Sequence, residues 1–342
     1  MQLLAPQLIE SKRRSEDGVP RLAPTARRPA SRLSPGAAPS PARTPLPRSA
    51  AHVRLHRGRY LPTPVWERLS DEDRHLCRVL SAHAAASVPP VFSHVSAAIM
   101  LGMPIYGPID ERVHLTNDVQ GAGVATPGVV RHRSRLGADD IVSVGELRCT
   151  SPERTILDLA RSSPAEVALA ATDGYLREHF RVGRRVDPFL FAEWQEEMAD
   201  RLAALRGAFG VRAARKVLEL ADPRTDSVLE SVSHLQLNRL GFEVELQVEV
   251  PGPSGRSYFV DFELLGLELF GECDGKAKYT DERLRAGRSA EELVYRDKRR
   301  QDWICGSTRK KMIRWGSPDV VTPSVFARRL RAFGVPIPRL VS

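Results

Sequence analysis

Three carboxylates that could bind a metal ion lie on two neighbouring predicted strands or directly after the second of them. Asp261 interrupts the apolar stretch Phe259 to Leu264, where a carboxylate is costly unless its charge is compensated. Glu272 and Asp274 come at the end of the next stretch, Leu267 to Cys273. Mg²⁺ is typically held by one or two carboxylates together with waters and substrate phosphate oxygens. Such an ion activates a water and neutralises charge on a phosphodiester.

Further side chains could complete such a site. Lys276 and Lys278 follow these acids, and Lys298 lies on a later predicted helix; a lysine there would position the attacking water or stabilise developing charge. Glu230 lies in the first turn of a predicted helix and is a candidate metal ligand. Acids also favour that position because of the helix dipole alone. The alternative interpretation of the whole cluster is a set of solvated turn residues and surface ion pairs.

The two strands form a predicted β-hairpin with Gly266 at its turn, and this hairpin resembles that of the PD-(D/E)xK nuclease superfamily. The run Glu-Cys-Asp-Gly-Lys-Ala-Lys-Tyr, from Glu272 to Tyr279, is also similar to the Glu-x-Asp-Gly signature of a bacterial family related to very-short-patch repair endonucleases. Asp274 stands where the superfamily usually has lysine. A lysine role would therefore fall to Lys276, Lys278 or Lys298.

The resemblance implies a metal-dependent endonuclease site. Asp261 and Glu272 would hold Mg²⁺ or Mn²⁺, with Glu230 or Asp274 as a further ligand. A fold does not by itself imply a function, so a non-catalytic module that binds nucleic acid or a partner protein is the alternative.

A basic face on the predicted helix Ala290 to Trp303 is a candidate phosphate contact. The predicted nucleic-acid contacts on this helix are Arg296, Arg299 and Arg300. Arginine can grip phosphate with two parallel hydrogen bonds. A solvated basic face is the alternative.

A second basic element lies near the N-terminus. From Val53 to Leu61, apolar side chains alternate with basic ones, and Gly58 lies at a predicted turn or bulge. This pattern resembles the wing hairpin of a winged helix, which would place Arg54, Arg57 and Arg59 along a DNA backbone.

Three runs are together similar to the AbiEi-like antitoxin family of type IV toxin–antitoxin systems: Arg57 to Tyr60, Phe92 to Ala98 and Thr150 to Ala160. The similarity covers residues 53–180. It implies a DNA-binding transcriptional regulator with a nucleotidyltransferase-like toxin as a partner. The family's helix-turn-helix would have to lie within residues 1–50, whose sequence does not have a helical pattern.

Three histidines in the middle of the chain, His94, His114 and His132, raise the question of a metal site or an acid–base pair. No two of them have the i, i+4 spacing of ligands on one helix. Histidines that are exposed or hydrogen-bonded are therefore the favoured interpretation.

Composition sets the outer bounds. The chain has 342 residues, an apolar fraction of 42% and a net charge of +9, which suits more than one domain and a polyanionic partner such as DNA. The four scattered cysteines have no CxxC spacing, which argues against a disulfide framework or a structural zinc site and favours the reducing cytoplasm. No signal peptide or membrane span is expected.

We predict a mixed α/β protein with a C-terminal domain in the order helix, three strands, helix, strand, as in the nuclease superfamily. The predicted segments are a disordered Pro/Ala/Arg-rich tail (1–50), a wing-like hairpin (51–65), an AbiEi-like α/β domain (66–180), a helical connector (181–222) and the nuclease-like domain (223–342).

Overall fold

A computed structural model describes residues 51–117, 127–274 and 290–338. The predicted mixed α/β class is confirmed. The predicted disordered tail, Lys276 and Lys278 lie outside the described residues. Within the described ranges, no helix is both long and apolar enough to cross a membrane.

The N-terminal hairpin is present. It pairs β1 (His52–His56) with β2 (Arg59–Pro62) in antiparallel register, and Gly58 turns the chain with φ of 74°. A short helix α1 (Thr63–Glu67) and the longer α2 (Asp71–Ala85) follow. The hairpin packs on α2.

The middle domain contains a five-stranded mixed sheet. Its strands are β3 (Val91–Phe92), β4 (Val113–Asn117), β5 (Val129–Arg133), β6 (Ile141–Val144) and β7 (Leu147–Thr150), in the order β5-β4-β3-β7-β6. β4 and β5 are parallel, and so are β3 and β7. Helix α3 (His94–Met100) leaves β3 and packs against β4. Apolar side chains of α2, α3 and the sheet form one core.

Helices link the two larger domains. They are α4 (Pro152–Ser162), α5 (Ala165–Phe180), α6 (Pro188–Ala204) and α7 (Val211–Leu220), and a small antiparallel hairpin of β8 (Arg181–Val182) and β9 (Arg185–Val186) lies between α5 and α6. Their buried apolar residues form a second core with α3, which also takes in Leu235 from the next helix. The predicted helical connector therefore shares a core with the middle domain.

The C-terminal domain has the predicted element order. Helix α8 (Val228–Arg239) precedes the strands β10 (Val244–Pro251), β11 (Ser257–Leu264) and β12 (Leu269–Cys273), and α9 (Ala290–Thr308), β13 (Lys311–Trp315) and α10 (Pro323–Ala332) follow. The sheet order is β10-β11-β12-β13, antiparallel except between β12 and β13. One sheet face packs on α8 and α10, and the other packs on α9.

From Phe242 to Val250 apolar residues alternate with polar ones, a pattern that predicts one shared sheet face, and this prediction is wrong. Leu246 packs in the core shared with α8 and α10, whereas Val248 and Val250 belong to the cluster that packs on α9. Gln247, between them, has φ of 51°, a left-handed conformation that few non-glycine residues adopt. Because this conformation breaks the two-residue alternation of a strand, the strand changes face at Gln247.

Candidate active site

Asp261 lies where the central strands part. The β11–β12 ladder ends at the pair Phe262 and Gly271, so Asp261 and Glu272 occupy the first positions beyond the last paired residues. The Oδ2 atom of Asp261 accepts a hydrogen bond of 2.8 Å from the backbone N–H of Cys273. The carboxylate therefore takes the place of a ladder partner and is held in the gap between the strands.

Glu230, from the start of α8, reaches the same gap. Its side chain accepts hydrogen bonds from the backbone N–H of Asp226 at 2.7 Å and from the Ser227 hydroxyl at 2.9 Å, while Ser227 caps the helix. Glu230 is 6% exposed. Burial, and then the nearby charge of Asp261, raise the pKa of Glu230 to about 7.

The residue that joins these two acids was not predicted. The Nε2 atom of Gln247 donates to Glu230 Oε2 at 2.8 Å and lies 3.4 Å from Asp261 Oδ1. The Oε1 atom of the Gln247 side-chain amide accepts a hydrogen bond from the Arg184 guanidinium of the β8–β9 hairpin. The left-handed backbone of Gln247 brings its side chain to the two acids, and a strand's sequence pattern does not predict this conformation.

Glu272 makes a different set of contacts. Its Oε1 atom accepts a hydrogen bond from the Arg300 guanidinium of α9 at 2.5 Å. Its Oε2 atom lies 2.9 Å from Arg314 Nη2 of β13. Glu272 is 7% exposed, so both of its oxygens are neutralised in a nearly buried ion-pair network. Arg314 also pairs with Asp297.

Of the other predicted catalytic residues, the structure describes Asp274 and Lys298 only. The backbone N–H of Asp274 donates to the Trp315 carbonyl at 2.8 Å, which extends the β12–β13 pairing by one residue. Lys298 is exposed on α9. Lys276 and Lys278 lie in 275–289, outside the described residues.

A groove beside the acids contains the predicted basic helix face. Arg296, Arg299 and Arg300 line it together with two aspartates, Asp297 and Asp302. Its aromatic lining comes from Tyr258 and Trp303. Because Arg300 lines the groove and also contacts Glu272, the groove and the acidic gap share a side chain.

The wing-like hairpin offers two exposed arginines, Arg54 and Arg57. The third, Arg59, donates from Nη2 to the Ala84 carbonyl at the end of α2. It therefore anchors the hairpin to the domain rather than standing free.

The three histidines lie together. One ring nitrogen from each of His94, His114 and His132 is within 4.8 Å of the others. The acids are less tightly gathered: among the described residues, Glu230, Asp261 and Glu272 do not form such a group. The helical spacing rule missed the histidines because they come from one helix terminus and two strands.

No family model matches the chain. The chain is similar to uncharacterised proteins of two strains of Mycobacterium tuberculosis, with 32% identity over 150 residues in each case. The match covers 44% of this chain and 50% of each relative. The chain thus spans about half the length of the relatives it matches.

Proposed function

We propose that this is a cytoplasmic DNA-interacting protein whose C-terminal domain hydrolyses phosphodiesters with a bound divalent ion. The observation that carries the proposal is the gap between β11 and β12. There Gln247 bridges the carboxylates of Glu230 on α8 and Asp261 on β11. Glu272 lies on β12, one residue beyond the last paired residue of that strand. The resemblance of the hairpin to the PD-(D/E)xK superfamily and the basic groove also support phosphodiester hydrolysis.

The acids fit a hard cation. Burial is the main cause of the raised pKa of Glu230, and repulsion from the nearby carboxylate of Asp261 adds to it. A divalent ion between them would relieve both costs, because a nearby positive charge favours the ionised form of each acid. Glu230, Asp261 and Glu272 would hold Mg²⁺ or Mn²⁺, whose carboxylate preference they meet.

Different residues of the chain would orient the metal ligands and bind the phosphate backbone. Bound Mg²⁺ or Mn²⁺ would supply water activation and charge neutralisation. The Cys273 N–H and the Gln247 amide orient Asp261 and Glu230. Exposed Lys298 and its neighbours on α9 would hold the phosphate backbone.

Glu272 must change partners for this site to form. Arg300 and Arg314 now occupy its carboxylate oxygens. Phosphate binds guanidinium with the same two-pronged geometry as carboxylate. A nucleic-acid backbone in the groove would therefore compete for Arg300 and release Glu272 toward the metal.

The proposal is tested by cleavage of supercoiled plasmid DNA with Mn²⁺ or Mg²⁺. We expect Asp261→Asn and Glu272→Gln each to reduce the cleavage rate at least about a hundredfold, because each removes a group that acts on the transition state. Glu243→Gln, at an exposed acid immediately before β10, is the matched control and should retain activity. Cleavage that survives Asp261→Asn unchanged would refute the site.

A second candidate function is a binding module without catalysis. The observation that favours it is the fully paired Glu272, which would serve as a structural ion-pair centre. The resemblance of residues 53–180 to AbiEi-like antitoxins extends this candidate to a repressor with a nucleotidyltransferase-like toxin as partner. It predicts DNA binding of equal affinity with and without EDTA, and no cleavage under any metal.

A further inference from the structure

Three imidazoles from separate elements meet in the middle domain. His94 is the first residue of α3, and His114 and His132 lie on the parallel strands β4 and β5. The register pairs Thr116 with His132, so the two strand histidines are offset by two residues and project from the same sheet face. The turn from β3 into α3 brings His94 to them.

The rings are close enough to share an ion. His114 Nδ1 lies 3.0 Å from His132 Nε2, and the rings of His94 and His132 stack with centroids 3.5 Å apart. Zinc–nitrogen bonds of about 2.0–2.1 Å in a tetrahedron place ligand nitrogens roughly 3.3 Å apart. The two strand histidines already have nearly this separation, and a modest rotation of the His94 ring would bring the third nitrogen in.

The other ring nitrogens have the partners that metal-binding histidines commonly have. His114 Nε2 lies 3.3 Å from Asp110 Oδ2, and His94 Nδ1 lies 3.0 Å from the Ser93 hydroxyl. Asp110 is itself fixed by Arg112, whose Nη2 donates to it at 2.7 Å. A carboxylate that binds the second nitrogen of a histidine sets its tautomer and directs the free lone pair toward the metal.

The backbone at His94 is strained. Its φ is 52°, although it is neither glycine nor exposed. A non-glycine residue in this region is strained and persists where its surroundings impose it, often at ligand sites. This conformation directs the buried His94 ring to the other two.

The rings are also in the chemical form that binds metals. Burial lowers the pKa of His94 to about 2 and of His132 to about 4, and it lowers the pKa of His114 as well. A neutral imidazole keeps a lone pair on one ring nitrogen, and the proton held between His114 Nδ1 and His132 Nε2 would have to move to another ring nitrogen when an ion binds.

We propose that His94, His114 and His132 bind a transition-metal ion of the zinc class, separate from the acidic site of the C-terminal domain. Imidazole ligands suit zinc, copper, iron and nickel rather than magnesium. Three protein ligands leave a fourth position for a water or an anion, as in catalytic rather than structural zinc sites. Of the three histidines only His114 lines a neighbouring cavity of about 500 Å³, on the side where Asp110 contacts it.

The test uses the purified full-length chain stripped of metal and titrated with ZnCl₂ and, separately, CoCl₂. We expect one tightly bound zinc per chain. Bound Co²⁺ should show the intense visible absorption of four- or five-coordinate cobalt rather than the weak bands of the hexaaqua ion. His114→Ala and His132→Ala should each weaken zinc binding at least about a hundredfold, since each removes one of three ligands.

Two further variants separate a metal site from a merely hydrogen-bonded cluster. Asp110→Asn should weaken zinc binding by roughly 10- to 100-fold while all three ligands remain. His179→Ala, at an exposed histidine of α5, should leave zinc binding unchanged. The cobalt spectra are measured on the wild-type chain, so this result does not depend on whether a variant folds. Six-coordinate spectra, no binding, or binding that survives His114→Ala and His132→Ala in folded protein would overturn the proposal.

Discussion

The acidic gap of the C-terminal domain and the histidine cluster of the middle domain differ in charge and in what holds them. At the gap, Glu272 is already neutralised by Arg300 and Arg314. In the cluster, the rings are neutral and contact each other. A cation would have to displace arginines at the first site, whereas at the second it would only replace contacts between rings.

This difference predicts different metals and different conditions. Carboxylate oxygens prefer Mg²⁺ and Mn²⁺, and imidazoles prefer zinc and its neighbours. If Arg300 leaves Glu272 only when a phosphate backbone binds it, hard-ion binding at the gap depends on nucleic acid. Zinc binding at the histidines needs no nucleic acid. The two proposals can therefore fail independently.

The largest effect on stability is expected from zinc. At a free concentration one hundred times its dissociation constant, zinc should raise the free energy of unfolding by about 2.7 kcal/mol, because it binds only the folded cluster. Asp261→Asn should keep this increase, and His114→Ala should abolish it. Urea unfolding with and without zinc measures both. An increase that disappears in Asp261→Asn would mean that the two sites are not separate.

A smaller effect is expected from the packing beside Glu272. A Cβ at Gly271 would lie 2.1 Å from the Trp315 ring, so Gly271→Ala should lower the free energy of unfolding by about 1–3 kcal/mol. Gly306→Ala, on α9 where a Cβ meets nothing within 4 Å, is the matched control. Because Glu272 follows Gly271 directly, the same variant should reduce DNA cleavage. Equal stability of both variants would contradict the close packing of the Trp315 ring against Gly271.

The smallest effect concerns pH. The folded-state pKa of Glu230 is raised to about 7 from an ordinary 4.5, so the folded protein binds more protons than the unfolded chain between these values. Stability should therefore fall as pH rises through this window, by roughly 1 kcal/mol per pH unit. Glu230→Gln should remove this part of the slope. Parallel stability curves for the two proteins between pH 5 and 7 would show that Glu230 is not perturbed.

Local sequence rules predicted much of the scaffold. Ser70, Ser151 and Ser227 each precede a helical pattern in the sequence, and each caps that helix through a side-chain oxygen that accepts a backbone N–H. The element order of the C-terminal domain was predicted as well, because its strands and helices have distinct periodicities. Helix caps and the order of helices and strands depend on residues that are close in sequence.

Features that depend on distant contacts were not predictable. Helix α5 and the strand pair β6–β7 were missed. The left-handed backbone of Gln247 follows from tertiary context, and no pattern of residue types indicates it. The histidines meet only through the parallel register of β4 and β5 and the turn into α3. Pairing of Glu272 with arginines on α9 and β13 is likewise a result of packing.

The most direct test of the central claim, that nucleic acid frees Glu272 for a hard ion, is Mn²⁺ binding followed by electron paramagnetic resonance. It is measured in the His114→Ala background, which removes the histidine site, with and without a non-cleavable phosphorothioate oligonucleotide. We expect the oligonucleotide to tighten Mn²⁺ binding at least about tenfold, a coupling of about 1.4 kcal/mol, and Asp261→Asn to abolish it. Mn²⁺ affinity that is the same with and without oligonucleotide, or unchanged by Asp261→Asn, would contradict the account.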